Sequence, residues 1–260
     1  MKDCREEWYD KDAKVAVTIV DVTSAAQELA RGHLAGPTST HFLTEALASV
    51  ALLGAEMSEK DETVILQMKC KGPLGGYNVE CTAEGTLRGY AEKKVLEDFD
   101  GLGKPDSRKV VGEAQIQVTR SVPGRILSQG ISTSVDGYLA GSLQRKACIR
   151  TEVAVSDEVE VLEARGIMVE DLPDAQGELR CCHVADPKSL SVASRNVLKQ
   201  LGLENAELRK TTPLKFACRC SPDRAITMLA ALSEEERKAL PPTIDITCHM
   251  CGKTFTVRTK

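Results

Sequence analysis

Two tight cysteine pairs near the end of the chain, Cys218-x-Cys220 in "CRCS" and Cys248-x-x-Cys251 in "CHMC", constrain its fold more than any other feature. They are separated by 27 residues, within a 48-residue tail (213–260) that holds little apolar material. Local signals in that tail are clear. Ser221 can cap a helix with Pro222 at its first position. Ser233 with Glu236 three residues on is a capping box, and "TIDITC" with "KTFTVR" reads as a hairpin after the "PP" stop. A unit this small usually needs a metal or disulfides to fold. Four thiols drawn as two pairs from separate turns are a tetrahedral zinc pattern. Such a site is doubly negative, and Arg219, Arg224 and Lys253 lie near enough in sequence to offset part of that charge.

Composition narrows the setting of this module. The chain has 260 residues, 42% hydrophobic and only 3% aromatic, so its core must be aliphatic. Its net charge of -4 divides into about -9 over residues 1–175, +2 over 176–213 and +3 over 214–260. An acidic body with a mildly basic tail does not fit a nucleic-acid binder, and no apolar run is long enough to span a membrane. The opening "MKDCREEWYDKDAK" lacks the apolar core of a secretory signal, so a cytoplasmic location is expected. In that reducing compartment ten cysteines read first as metal ligands or redox groups.

Along the chain, "KVAVTIVDVT" (14–23) alternates as a strand. In "STHFLTEALASVALLGAEM" (39–57), Phe42, Leu43, Ala46, Leu47, Val50, Leu53 and Met57 recur at helical spacing and predict a buried helix. Residues 63–72, 77–83 and 85–92 predict a three-strand antiparallel meander packed on that helix, and 113–121 a further strand. A helix running into a strand is expected over 141–157, and a final strand pair over 159–175. The expected fold class is α+β: a core domain of antiparallel strands and helices (1–175), an amphipathic helical linker (176–212) and the zinc-binding module (213–260). Within the linker, Leu190, Ala193, Val197, Leu198 and Leu201 mark one narrow apolar stripe over 186–210 that can dock but hardly stand alone.

Two readings of the four cysteines stand side by side. In one, zinc is a permanent rivet in an adaptor or assembly protein. In the other, the site opens on oxidation, because metal-bound thiolates are what oxidants attack. If each pair closes on itself, the metal leaves and no covalent tie crosses the intervening segment. A cross-link between the pairs would instead constrain the unfolded chain by roughly 3–4 kcal/mol. The spacing suits a device meant to open. An enzyme reading is weak, since four thiolates leave zinc no open position.

"FACRCS" and "ITCHMCGKTF", with "HFLTEALASVALLGA", "GPLGGYNVECTAEGTLRGYA" and "GIMVEDLPDA" in matching order, resemble the 33 kDa redox-regulated heat-shock chaperone family over most of the chain. The chain departs from that family's pattern at "GSLQRKACIRTEV" (141–153) and in its short, proline-poor linker. The resemblance implies a non-enzymatic, ATP-independent holdase that is inactive when reduced and zinc-bound, with one zinc per reduced chain. It implies that Cys218, Cys220, Cys248 and Cys251 are both metal ligands and redox-active residues. Their oxidation to two local disulfides would release zinc and unfold module and linker. Implied partners are unfolded or partly folded client proteins, a second copy in an oxidised homodimer, and ATP-dependent chaperones that take over the clients.

Other residues carry weaker signals. Cys181-Cys182-His183 in the linker lacks a fourth ligand for a second metal site and reads as exposed linker. Cys70 and Cys81 read as buried small apolar residues in strands, Cys4 as exposed, and Cys148 as belonging to no cluster. His33 and His41 have no catalytic partners and read as hydrogen-bonded structural histidines; Glu45, inside an apolar helix pattern, predicts a buried hydrogen bond. Gly101-Leu102-Gly103-Lys104 lacks phosphate-loop spacing and reads as a plain loop, and Glu234-Glu235-Glu236 as a solvated helix start.

Overall fold

The computed structural model describes residues 3–173, 175, 194–230 and 232–259. In chain order, β1 (Cys4–Asp10) and β2 (Val15–Asp21) form a hairpin, followed by α1 (Thr23–His33) and α2 (Pro37–Leu53), with a short 3-10 turn at Gly54–Glu56. The meander follows as β3 (Thr63–Cys70), β4 (Gly76–Thr82) and β5 (Thr86–Ala91). Next come α3 (Ser107–Val110), β6 (Ala114–Val122), β7 (Arg125–Ser132), α4 (Val135–Gly141), β8 (Lys146–Val155) and β9 (Val161–Asp171). The remaining described elements are α5 (Ser194–Gln200), β10 (Glu207–Pro213), β11 (Lys215–Phe216), α6 (Pro222–Ala230), α7 (Glu234–Ala239), β12 (Thr243–Thr247) and β13 (Thr254–Arg258).

Helix α2 is the centre of the molecule. Fourteen of its 17 residues are buried, because it packs against strands of both large sheets. One sheet has the order β10-β1-β2-β9-β8, the other β11-β5-β4-β3-β6-β7. Leu47, Leu52 and Leu53 are almost wholly withdrawn from water, each such burial contributing about 1.5–3 kcal/mol. Neither α1 nor α2 has a side-chain cap of its own. Remote aspartates supply the acceptors instead: Asp3 receives the amides of Ser24 (3.1 Å) and Ala25 (2.7 Å), and Asp100 those of Thr38 (2.9 Å) and Leu96 (2.9 Å). Orphan donors at helix starts need such partners, and these carboxylates pin both helices to distant segments.

The α+β class and the meander over β3, β4 and β5 agree with the sequence expectation. Several details differ. The 159–175 stretch contains one strand, β9, not a pair. Both faces of its sheet are covered, by α2 on one side and α5 on the other, so the alternation that normally marks a strand is lost. In the 141–157 stretch the helix has already ended at Gly141, and Lys146–Val155 is strand. The described part of the amphipathic stretch 186–210 holds helix α5 over Ser194–Gln200 and then the start of strand β10, which pairs antiparallel with β1. Val197, Leu198 and Leu201 do form a buried face, seated on Trp8, Val15, Val17, Ile167 and Val169. Leu190 and Ala193 lie outside the described residues. Strand β10 is an edge strand, and its exposed Glu207, Arg209 and Lys210 hide it from a hydrophobic pattern while guarding the edge. It runs to Pro213, where the C-terminal module is expected to begin.

Among the described residues, no helix is long and apolar enough to cross a membrane.

Candidate metal centre

Both cysteine pairs are placed by backbone hydrogen bonding before any ligand is considered. Strand β11 pairs parallel with β5, Lys215 opposite Thr86 and Phe216 opposite Leu87, and the Ala217 amide extends the pairing to the Leu87 carbonyl at 3.1 Å. The chain therefore leaves the sheet extended, and residues two apart, Cys218 and Cys220, project to one side. Ser221 then starts α6, its Oγ accepting the Arg224 amide at 3.2 Å. The second pair caps the β12–β13 hairpin. Cys248 donates its amide to the Lys253 carbonyl (2.9 Å) and Gly252 to the Cys248 carbonyl (2.9 Å), closing a knuckle around Cys251. Gly252 has φ +71, a conformation that side chains disfavour. The capping box at Ser233 and Glu236 is complete, as the sequence indicates.

The result is a four-sulfur cluster in which all Sγ atoms lie within 4.8 Å of one another. Cys218 and Cys248 approach to 3.8 Å, Cys220 and Cys251 to 3.4 Å. Zinc–sulfur bonds of about 2.3 Å in a tetrahedron put the sulfurs about 3.8 Å apart. The spacing thus fits a metal of that size with no ligand having to move far. Cys251 is buried and the other three are half-buried, so the cluster is accessible to small solutes from one side.

The cation nearest the sulfurs is one that local sequence could not identify. Arg88, on β5, points Nη1 at Cys218 Sγ from 3.6 Å while its Nε and Nη2 hold Glu80 at 2.6 and 2.9 Å. Arg219 shares the same carboxylate at 2.7 Å. Lys253, expected to offset the thiolates, lies over the Phe255 ring instead. Burial pushes the Cys218 thiol up, but the Arg88 guanidinium and the hydrogen bonds of its neighbours outweigh burial and bring it down to about 7. Burial raises Cys220 and Cys251. In the metal-free reduced state Cys218 therefore loses its proton more readily than Cys220 or Cys251 and is the better nucleophile of those three.

The remaining candidates have ordinary surroundings. His33 is buried, its Nε2 2.8 Å from the Gly89 carbonyl oxygen, and burial lowers its pKa. His41 is buried and pairs with Glu45 at 3.3 Å; Glu45 itself is only half-buried, so the pair runs from the core to the helix surface. Cys81 is buried and its thiol pushed up by burial to about 11, whereas Cys70 is half-buried. Cys4 is half-buried rather than exposed, because β1 lies between β2 and β10. Cys148 is disulfide-bonded and faces the Trp8 cluster. Cys181, Cys182 and His183 lie outside the described residues. Gly101–Lys104 is an exposed loop, and Glu234–Glu236 is exposed at the start of α7.

A two-sheet α+β core bearing a docked module with four converging cysteines defines the class: a small tetracysteine module hydrogen-bonded onto the edge of a large sheet. The sequence model of the family described as "Hsp33 protein" matches residues 7–258, and the chain belongs to that family. Among its relatives is a 33 kDa chaperonin of Thermus thermophilus, 29% identical over 92% of this chain and 79% of the relative. Another is the 33 kDa chaperonin of Oceanobacillus iheyensis, 26% identical over 98% of this chain and 96% of the relative. The crystal structure of the Thermotoga maritima 33 kDa chaperonin superposes with a TM-score of 0.86, covering 100% of this chain and 96% of that one at 21% identity. That likeness establishes the fold.

Proposed function

We propose that this member of the Hsp33 family is an oxidation-activated, ATP-independent holdase of the cytoplasm, with no catalytic centre. In this reading Cys218, Cys220, Cys248 and Cys251 bind one zinc per reduced chain and are also the redox sensors. The observation that carries the proposal is the convergence of four sulfurs at tetrahedral spacing on a module that buries almost nothing else. Among its described side chains only Leu214, Ala225, Cys251 and Val257 are buried.

Bound zinc would keep all four sulfurs as thiolates and tie the two knuckles together. Two equivalents of peroxide take four electrons from the thiolates, forming two S–S bonds and four hydroxides, and the donor set is gone. Pairing of Cys218 with Cys220 and of Cys248 with Cys251 follows the family resemblance. With no tie across the segment, the module loses its fold. It then frees the linker, which rests on the β1-β2-β9 face through Val197, Leu198, Leu201, Leu203 and Ala206. The apolar surface so exposed binds unfolding proteins and drives formation of a homodimer, and ATP-dependent chaperones receive the clients. Zinc release and light scattering of heat-unfolding malate dehydrogenase, followed together during peroxide treatment, test this. Expected is release of one zinc per chain with suppressed aggregation only afterwards. Zinc kept under strong oxidant, with no gain in apolar dye binding, would instead favour a permanent rivet in an adaptor protein.

A further inference from the structure

Strand β5 sits at the edge of the six-stranded sheet, and its outer side is paired with β11 over only two residues, Thr86 and Leu87. Beyond them the edge is covered by the second cysteine knuckle. The Gly89 amide donates to the Met250 carbonyl at 3.1 Å, and Tyr90 meets His249 edge-on with ring centres 5.4 Å apart. The knuckle reaches this position through a glycine-on-glycine seam with the last turn of α1. A Cβ on Gly32 would fall 2.6 Å from the Cys251 carbonyl oxygen, and one on Gly252 would fall 1.9 Å from the Gly32 carbonyl oxygen. Both neighbours are backbone, so neither can rotate away. The β5 edge is thus occupied by the chain's own residues 215–217 and the Met250 carbonyl, standing where an added strand would run, while the Gly89 carbonyl oxygen lies 2.8 Å from His33 Nε2 of α1.

We infer that the β5 edge from Arg88 to Ala91 is a docking strip for an extended segment of unfolded polypeptide, kept covered by the Cys248–Cys251 knuckle. This rests on the holdase reading and names a surface for it. An open sheet edge offers hydrogen bonds to any extended chain whatever its sequence, the recognition an unselective holdase needs. Gly89 adds no side chain to obstruct the approach, and Tyr90 offers one aromatic face once His249 has gone.

The test is hydrogen exchange at the Gly89 amide in the full-length protein, with heat-unfolding malate dehydrogenase as the probe. In the reduced, zinc-loaded wild type this amide is protected. Oxidation is expected to speed its exchange about tenfold or more, and bound malate dehydrogenase to slow it again by a similar factor. A second arm uses Gly32→Ala, which favours α1 as a helix yet forces the seam apart. Reduced and still zinc-loaded, it is expected to show the fast Gly89 exchange and to hold the probe without oxidation. Client bound while Gly89 stays unprotected would overturn the inference and leave the holdase reading intact. So would a zinc-loaded Gly32→Ala protein with Gly89 as protected as in the wild type. Binding by reduced Gly32→Ala with none by the oxidised wild type would overturn the oxidation-activated reading and leave the strip standing. No binding by either protein would remove both.

Discussion

A chelator strong enough to strip the metal from the reduced chain is expected to melt residues 217–259 while leaving the two-sheet core folded. The expectation comes from how little else holds this segment. Helix α7 has no buried residue, α6 leaves Ile226 and Met228 exposed, and the strands β12 and β13 bury only Val257. A two-stranded hairpin with two short helices is marginal in water. Metal binding to such peptides supplies about 10–16 kcal/mol of apparent free energy, which is folding free energy. Docking on β5 adds a few hydrogen bonds, each worth about 1 kcal/mol, and cannot replace it. Peptide-resolved hydrogen exchange should therefore show the tail losing its protection on chelation, with α2, β2 and β9 unchanged. A tail that stayed protected without metal would mean that packing holds the module and that metal is incidental to its fold.

Glu62→Ala is expected to do the reverse, destabilising the core by about 3 kcal/mol without weakening metal binding. The Glu62 side chain is fully buried and ion-paired with Arg120 at 2.6 Å, and it also accepts the amides of Ser58 and Glu59 at 2.9 and 3.2 Å. Removing it strands a largely buried guanidinium and two amides at once. The estimate is set at the low end for buried pairs because Arg120 keeps the Glu56 carbonyl as a partner. Although burial works against the charge, Arg120 and these amides hold the Glu62 carboxyl below its ordinary range. Its folded pKa is depressed, so its contribution is present above the unfolded carboxylate pKa and fades as pH falls through the lower folded value. Denaturant unfolding of wild type and Glu62→Ala should therefore differ most near neutral pH and converge in acid. A difference under 1 kcal/mol at neutral pH would show that the Arg120 pair is solvated and dispensable.

Much of this architecture could be read from residue pattern, and the failures have physical causes. The α2 periodicity, the β3–β5 meander and the capped, hairpin-bearing tail are local signals, and the structure contains each of them. The four cysteines could be grouped from their spacing because the members of each pair lie only two or three positions apart. Strand β1, "CREEWYD", was hidden by its charges: Arg5 is buried only because it reaches the Ala51 carbonyl and Glu7. Edge strands β7 and β10 were hidden in the same way, since a strand with one open side need not alternate. Arg88 and Glu80 were invisible as partners of the thiol cluster, since Arg88 is 130 residues from Cys218. Only the docking of β11 on β5 brings them together, and no local pattern encodes a long-range pairing of two residues.

The central claim, that oxidation closes each knuckle on itself, is tested most directly by mass mapping of disulfides after peroxide treatment of the zinc-loaded chain. The account predicts Cys218–Cys220 and Cys248–Cys251 bridges in zinc-free protein with an unprotected tail. Bridges joining Cys218 to Cys248 or Cys220 to Cys251, the pairs at 3.8 and 3.4 Å in the folded module, with the tail still compact, would contradict it.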